Sequence, residues 1–172
     1  VNKNLKNLFE NKLKNLSLIN KFDHNAHFDF KISLGSLNKF FFNKKINFSL
    51  LKDDFDLSKK FSKHIKKNKF NIGLVWSGSF MGPNEPYRSI ELKKLEKILN
   101  LDFNFYCLQK EIWERDYDYF NKSKIIDFSN YKINEISAIL NNLDVVVSTD
   151  TFILHLAGLK KIRTLAMLSL NC

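Results

Sequence analysis

The chain has 172 residues, is 44% hydrophobic and 14% aromatic, and carries a formal net charge of +10. That is enough apolar material for a packed core of one domain, or of one domain and part of another. The charge rests on lysines scattered along the chain, with Arg88, Arg115 and Arg163 the only arginines, so a solvated basic face explains it better than a nucleic-acid interface.

Two cysteines, Cys107 and Cys172, give neither a disulfide framework nor a metal-ligand spacing. No run approaches the roughly 18 apolar residues of a membrane span, and no apolar leader stands at the start of the sequence. A reducing, cytoplasmic setting is expected. The chain opens on Val1 and stops at Cys172 directly after an apolar run, which reads as a fragment.

In chain order, Leu5, Leu8, Phe9, Leu13 and Leu16 recur at near-helical spacing and predict an amphipathic helix over residues 2–15. Short extended pieces follow around 18–19, 28–34 and 37–42, the second broken by Gly35-Ser36. Residues 57–67 predict a helix with Asp56 as its N-cap and Phe61 and Ile65 on one face. The pattern changes at 68–71. Beyond it, Ile72-Gly73-Leu74-Val75-Trp76 is a buried-type strand. A Ser77-Gly78-Ser79 turn and a loop holding Pro83 and Pro86 come next. Ser89 predicts the cap of a helix to about Leu99, with Leu92, Leu95, Ile98 and Leu99 as its stripe. Further strands are expected at 103–108, 125–128, 145–147 and 164–168, separated by helices at 112–122, 134–142 and 152–159. Strands alternating with helices from residue 70 onward predict βαβ units, and hence an α/β, Rossmann-like parallel sheet with flanking helices.

The stretch around which the chain is organised is Asp144-Val-Val-Val-Ser-Thr-Asp-Thr151. Three consecutive valines read as a strand buried on both faces. The polar turn Ser148–Thr151 then meets a helix N-terminus. In an open α/β sheet ligands lie at the carboxyl ends of the strands, against free helix N–H groups, and phosphates are the natural guests. Asp150 and Thr151 stand at this mouth, and His155 lies one turn along the same helix face. The plainer reading makes Asp150 or Thr151 a helix cap and His155 a core histidine. Ser77 and Gly78 form a second such turn, where a small residue lets a ligand approach the backbone; the plainer reading is a simple strand end. Arg88 adds a bidentate cation, or else is a surface arginine. Gln109, with Lys110 and Glu111, follows the second strand, where a base or ribose commonly sits, or forms a solvated turn. Together Ser77, Gly78, Arg88, Gln109, Asp150 and Thr151 would suit a nucleotide diphosphate. No Gly-x-Gly-x-x-Gly, phosphate-loop lysine motif, Gly-x-Ser-x-Gly or metal cluster is present; His24, His27, His64 and His155 are too dispersed for a ligand set.

Several blocks carry a resemblance. They are Ile72-Gly73-Leu74-Val75-Trp76-Ser77-Gly78, Tyr87-Arg88-Ser89-Ile90, Phe105-Tyr106-Cys107-Leu108-Gln109-Lys110, and Leu143 through Thr151 with His155-Leu156-Ala157-Gly158. In order and spacing they resemble the C-terminal half of a glycosyltransferase family 9-like (heptosyltransferase-like) protein, of the kind often fused to tetratricopeptide repeats in bacteria. Phe28-Asp29-Phe30 and Ser33-Leu34-Gly35-Ser36-Leu37 are similar to the segment that closes the family's first domain. The resemblance implies a GT-B architecture. Residues 1–67 would then be the end of the N-terminal, acceptor-side domain and the linker. Residues 68–172 would be the nucleotide-sugar-binding domain, truncated at its C-terminus. It implies a metal-independent transferase with a nucleotide-diphosphate sugar as donor and no further cofactor. Asp150 and Thr151 would contact the donor's ribose or phosphates, His155 would support their loop, Arg88 would meet a phosphate, and Gln109 the nucleotide. The catalytic base of the family lies in the first domain and has no counterpart here. Lys160-Lys161-Ile162 departs from the family's Gly-Lys-Pro. The alternative reading is a non-catalytic fragment, or a degenerate interaction module that retains the fold. The missing domain or the repeats would be partners on another chain.

Overall fold

The computed structural model describes residues 54–79 and 88–168, together with Ile19, His27 and Asp29. The expected elements before residue 54 and the proline-bearing loop 80–87 lie outside the described residues. The chain divides into two compact units, Val1–Lys52 and Asp53–Cys172. The unit holding the sheet therefore begins ahead of residue 68, where the sequence pattern changes. No helix among the described residues is long and apolar enough to cross a membrane.

The second unit is a five-stranded, wholly parallel sheet. In chain order its elements are α1 (Phe55–Ser62), β1 (Asn71–Val75), a 3-10 turn (Leu92–Leu95) running into α2 (Glu96–Leu99), β2 (Asn104–Cys107), α3 (Glu114–Lys122), β3 (Ile126–Asp127), α4 (Ile133–Leu140), β4 (Val145–Thr149), α5 (Phe152–Leu159) and β5 (Thr164–Met167). The strand order is β3-β2-β1-β4-β5. Ile72 pairs with Phe105 on one side and Val145 on the other, and Val75 stands beside Ser148. The order thus runs outward in both directions from the β1–β4 pair. That is the doubly wound arrangement, whose crevice opens where the order reverses.

Side-chain alternation assigns the two faces. Leu74, Trp76 and Cys107 pack with Leu92 and Leu95 of the 3-10 turn and with Phe120 of α3; Val147 joins this cluster. Ile72, Phe105 and Val145 continue the same face toward the amino end. Gly73 lies on the opposite face, where an added Cβ would come within 2.6 Å of the Leu108 side chain and 2.9 Å of the Leu143 side chain, so a larger residue would have to displace both leucine tips. On that side α1 is tied to α4: Asn142 Nδ2 donates to Ser58 O at 3.1 Å and to Ala138 O at 3.1 Å. Phe61 meets the Tyr131 ring edge-on at 5.1 Å.

Three local expectations are corrected. Asp54, not Asp56, caps α1: its carboxylate accepts from Leu57 N at 2.9 Å. The start was hidden because the first helical residue, Phe55, is 80% exposed and outside the apolar stripe. The helix ends at Ser62 rather than 67, and Ile65 is buried from the turn that follows. Ser89 is not the N-cap of the turn at Leu92–Leu95; Glu91 occupies that position and makes no side-chain cap bond. Backbone bonding to the sheet takes over instead, with Ile90 N donating to Trp76 O at 2.8 Å.

The exit from α5 is a Schellman turn. Ile162 N donates to Ala157 O at 3.0 Å and Lys161 N to Gly158 O at 2.9 Å. Lys161 holds φ of 59°, the left-handed conformation for which glycine is the natural residue.

Candidate functional site

The sheet brings the β1 and β4 turns side by side. Ser77 follows β1 after Trp76 and is 2% exposed; Thr149 ends β4 and is 1% exposed. Neither Ser77 Oγ nor Thr149 Oγ1 has a hydrogen-bond partner among the described residues. Arg88 reaches across: its Nη1 stands 3.5 Å from Asp150 O, at the outer limit of a hydrogen bond. The two turns and Arg88 therefore converge at the switch point. The α5 N-terminus opens there with Thr151 at its cap position and no side-chain cap bond.

The turn after β4 is internally ordered. Ser148 Oγ donates to Thr149 O at 2.7 Å and lies 2.9 Å from Thr151 Oγ1. Asp150 does not cap the helix. Its Oδ1 lies 3.2 Å from His155 Nε2, and both side chains are well exposed, His155 at 70% and Asp150 at 49%. The core-histidine reading of His155 is thereby overturned. The helix face carrying it looks to solvent, while Leu156 and Ala157 are the residues that bury.

Gln109 is buried, and its amide works inward. Oε1 accepts from Trp76 N at 3.0 Å and Ser77 N at 2.9 Å, while Nε2 donates to Glu111 O at 2.7 Å. It braces the turn after β1 from the end of β2, so the solvated-turn reading does not apply. Gly78 is joined to the same region through its carbonyl, which accepts from Trp113 Nε1 at 3.4 Å.

Two residues of this site were not singled out in the sequence. Asp116, 1% exposed, accepts from Trp76 Nε1 and Leu92 N, each at 2.9 Å. It ties the strand end to the 3-10 turn beyond Arg88. The available signal was its spacing: Asp116 sits four residues before Phe120, so a carboxylate shares the apolar face of α3. Thr149 is the other. Alternation places it with Val145 and Val147 on the packed face, where a hydroxyl among valines calls for a partner.

Beside the Gly78 carbonyl, Ile112, Trp113, Glu114, Arg115 and Tyr117 line an open cavity of about 530 Å³. The Arg115 guanidinium stacks on the Trp113 ring at 4.7 Å. Cys107 is fully buried, and desolvation pushes its thiol up to about 12, with the Gln109 backbone lowering and Asp127 raising it. A thiol so protonated is no nucleophile. No cluster of three His, Cys, Asp or Glu side chains suited to a metal occurs among the described residues.

No protein-family model matches the sequence. No curated protein matches it either. Among solved structures the chain is similar to a glycosyl transferase family 9 protein from Veillonella parvula DSM 2008, with a TM-score of 0.54 and 13% identity over 79% of this chain. The match covers 42% of that protein, so this chain spans less than half its length. What the two share is the fold: a Rossmann-like α/β domain of the kind found in a GT-B glycosyltransferase.

Proposed function

We propose that this chain is the donor-binding half of a family 9-like glycosyltransferase, taking a nucleotide-diphosphate sugar for transfer to an acceptor held by another domain or chain. One observation carries the reading. At the switch point of a 3-2-1-4-5 parallel sheet, a buried turn, an arginine and a helix N-terminus face one another around unpartnered hydroxyls. Such a place suits an anionic diphosphate: oriented N–H groups and a guanidinium stabilise its charge without a metal. As the sugar leaves, negative charge grows on the diphosphate, and the same groups that bind it favour that step. In this reading Arg88, Thr151 and the turn at Ser77–Gly78 meet the phosphates. Asp150, held by His155, addresses a sugar or ribose hydroxyl, and Gln109 positions the β1 turn rather than touching the ligand. A hexosyl or heptosyl type, an association with tetratricopeptide repeats and a cytoplasmic site of action complete the proposal.

Thermal unfolding with ADP, GDP, UDP and CMP, alone and as sugar conjugates, tests it. A ligand present at 100 times its Kd stabilises the folded state by about 2.7 kcal/mol. The expected result is a rise with one nucleotide class that Arg88→Ala abolishes. A cooperative transition unmoved by every nucleotide refutes the reading. It would favour a non-catalytic module that keeps the fold, the alternative to which Gln109 lends weight, since its amide is engaged by the protein's own backbone.

A further inference from the structure

We infer that the amino end of the sheet, the end away from the crevice, is a docking face for an anionic lipid surface. The inference is independent of the crevice reading. All strand pairs are parallel, so every connection entering a strand lies at one end of the sheet and every connection leaving one lies at the other. Lysines scattered along the chain gather in space at the entering end. The connection into β1 holds Lys63, Lys66, Lys67 and Lys69, and Lys124 precedes β3. The connection into β5 holds Lys160, Lys161 and Arg163. Asp102 and Asp144 are the acids of this end, and both are engaged. Lys69 is ion-paired with Asp102, and Asp144 accepts from Asn71 N at 2.7 Å. Eight basic residues thus stand against two acidic ones. The connections leaving the strands are balanced among the described residues, with Arg88, Lys110 and Lys132 against Glu91, Glu111 and Asp150.

Apolar side chains stand out from the same basic end. Phe70 and Phe103, which precede β1 and β2, are each 40% exposed, and their rings lie 5.8 Å apart. Leu101, in the connection into β2, is 51% exposed. The backbone holds them in place: Phe103 N donates to Leu101 O at 2.8 Å and Asn104 N to Phe70 O at 2.9 Å. By strand order, this apolar knob lies between Lys124 at β3 and the basic triplet at β5. Lysines around a protruding apolar tip suit a charged leaflet, which attracts the cations and takes up the apolar groups. Mobile headgroups ask for point charges rather than the fixed fork of an arginine, and seven of the eight basic residues are lysines. A nucleic acid would meet the same charges but has no use for Leu101, since an aliphatic side chain gives a base no ring to stack on. Five residues of β1 separate the two ends by roughly 17 Å, so the crevice stays open to water while the amino end is docked.

Co-sedimentation of the full-length protein with vesicles tests this, using phosphatidylcholine alone and phosphatidylcholine with about a third phosphatidylglycerol. The wild type is expected to bind the anionic vesicles only. It should release them as salt rises from about 0.1 M to 1 M, where the screening length falls from about 10 Å to 3 Å. The double reversal Lys66→Glu/Lys67→Glu should weaken partitioning about tenfold or more. Leu101→Ser should weaken it about threefold or more with the unfolding midpoint unchanged, since the side chain is exposed. Lys93→Glu/Lys94→Glu, in the exposed part of the 3-10 turn that follows β1, removes the same charge elsewhere and should stay within twofold. A wild type that ignores anionic vesicles, or binds neutral ones equally, overturns the inference. Equal losses from the two double reversals assign the binding to net charge alone and overturn it as well. Binding that Leu101→Ser leaves intact, or that a single-stranded DNA oligonucleotide matches in affinity, makes the face a general polyanion site and also overturns it.

Discussion

The two ends of the same sheet are built on opposite principles. At the amino end the polar groups close on one another. Asn71 Oδ1 accepts from Asn104 Nδ2 at 3.1 Å and from Tyr106 OH at 3.2 Å, and the Tyr106 hydroxyl in turn accepts from Lys66 N at 2.8 Å. Asp144 receives the Asn71 N–H at 2.7 Å. At the carboxyl end Gln109 and Asp116 hold the backbone just as firmly, yet the hydroxyls of Ser77 and Thr149 stay unmatched. Burial alone does not decide this, since both ends hold polar side chains below a tenth exposed. A satisfied network rigidifies a fold, whereas a rigid frame around unsatisfied groups is prepared for something from outside.

This contrast can be broken most forcefully at Asp116. Asp116→Ala leaves the Trp76 indole N–H and the Leu92 N–H buried without an acceptor. It is expected to cost about 3 kcal/mol in urea unfolding. A loss below about 1 kcal/mol would show that the brace at the carboxyl end is dispensable.

Next in size is the amino end itself. Tyr106→Phe removes the partner of Lys66 N and one donor to Asn71, and should lower stability by about 1–2 kcal/mol. Nucleotide affinity should be unchanged by it. Arg88→Ala, on the proposed reading, should instead weaken nucleotide affinity. If the two substitutions behave alike, the difference between the ends has no energetic content.

Alkaline titration offers a third probe, at Cys107 between them. Its thiol is raised from 9.0 to about 12 in the folded state. The unfolded chain then binds fewer protons above pH 9, so stability is full below that value and falls as pH climbs toward 12. The slope approaches about 1.4 kcal/mol per pH unit. In a Cys172→Ser background, iodoacetamide should leave the native protein unmodified at pH 8 and label it only in denaturant. Native labelling, read by mass spectrometry, would place the thiol outside the core.

The smallest effect is expected at Lys161. Lys161→Gly relieves the left-handed backbone at the α5 exit and should stabilise by roughly 0.5–1 kcal/mol without altering nucleotide binding. A loss of stability would mean that the lysine side chain contributes more than its conformation costs.

The sequence by itself determined the order of elements from residue 71 onward. The Ile72–Val75 and Val145–Val147 runs are too apolar and β-branched to be anything but central strands. The alternation of such runs with amphipathic segments leaves a parallel sheet as the solution. It also determined that the turns at Ser77 and Asp150 lie at strand ends. Only the tertiary structure decided which strands are neighbours, and so that the β1 and β4 turns form one place. It also decided where each polar side chain points. Gln109, Asp116 and Thr149 look alike in a sequence, as single polar residues beside apolar ones. Their roles separate only when a Trp76 N–H, a Leu92 N–H or no partner at all stands within hydrogen-bonding reach. Apolar periodicity is a property of neighbours along the chain and is legible there. A hydrogen bond between residues 30 or 40 positions apart depends on distances that exist only once the sheet has formed.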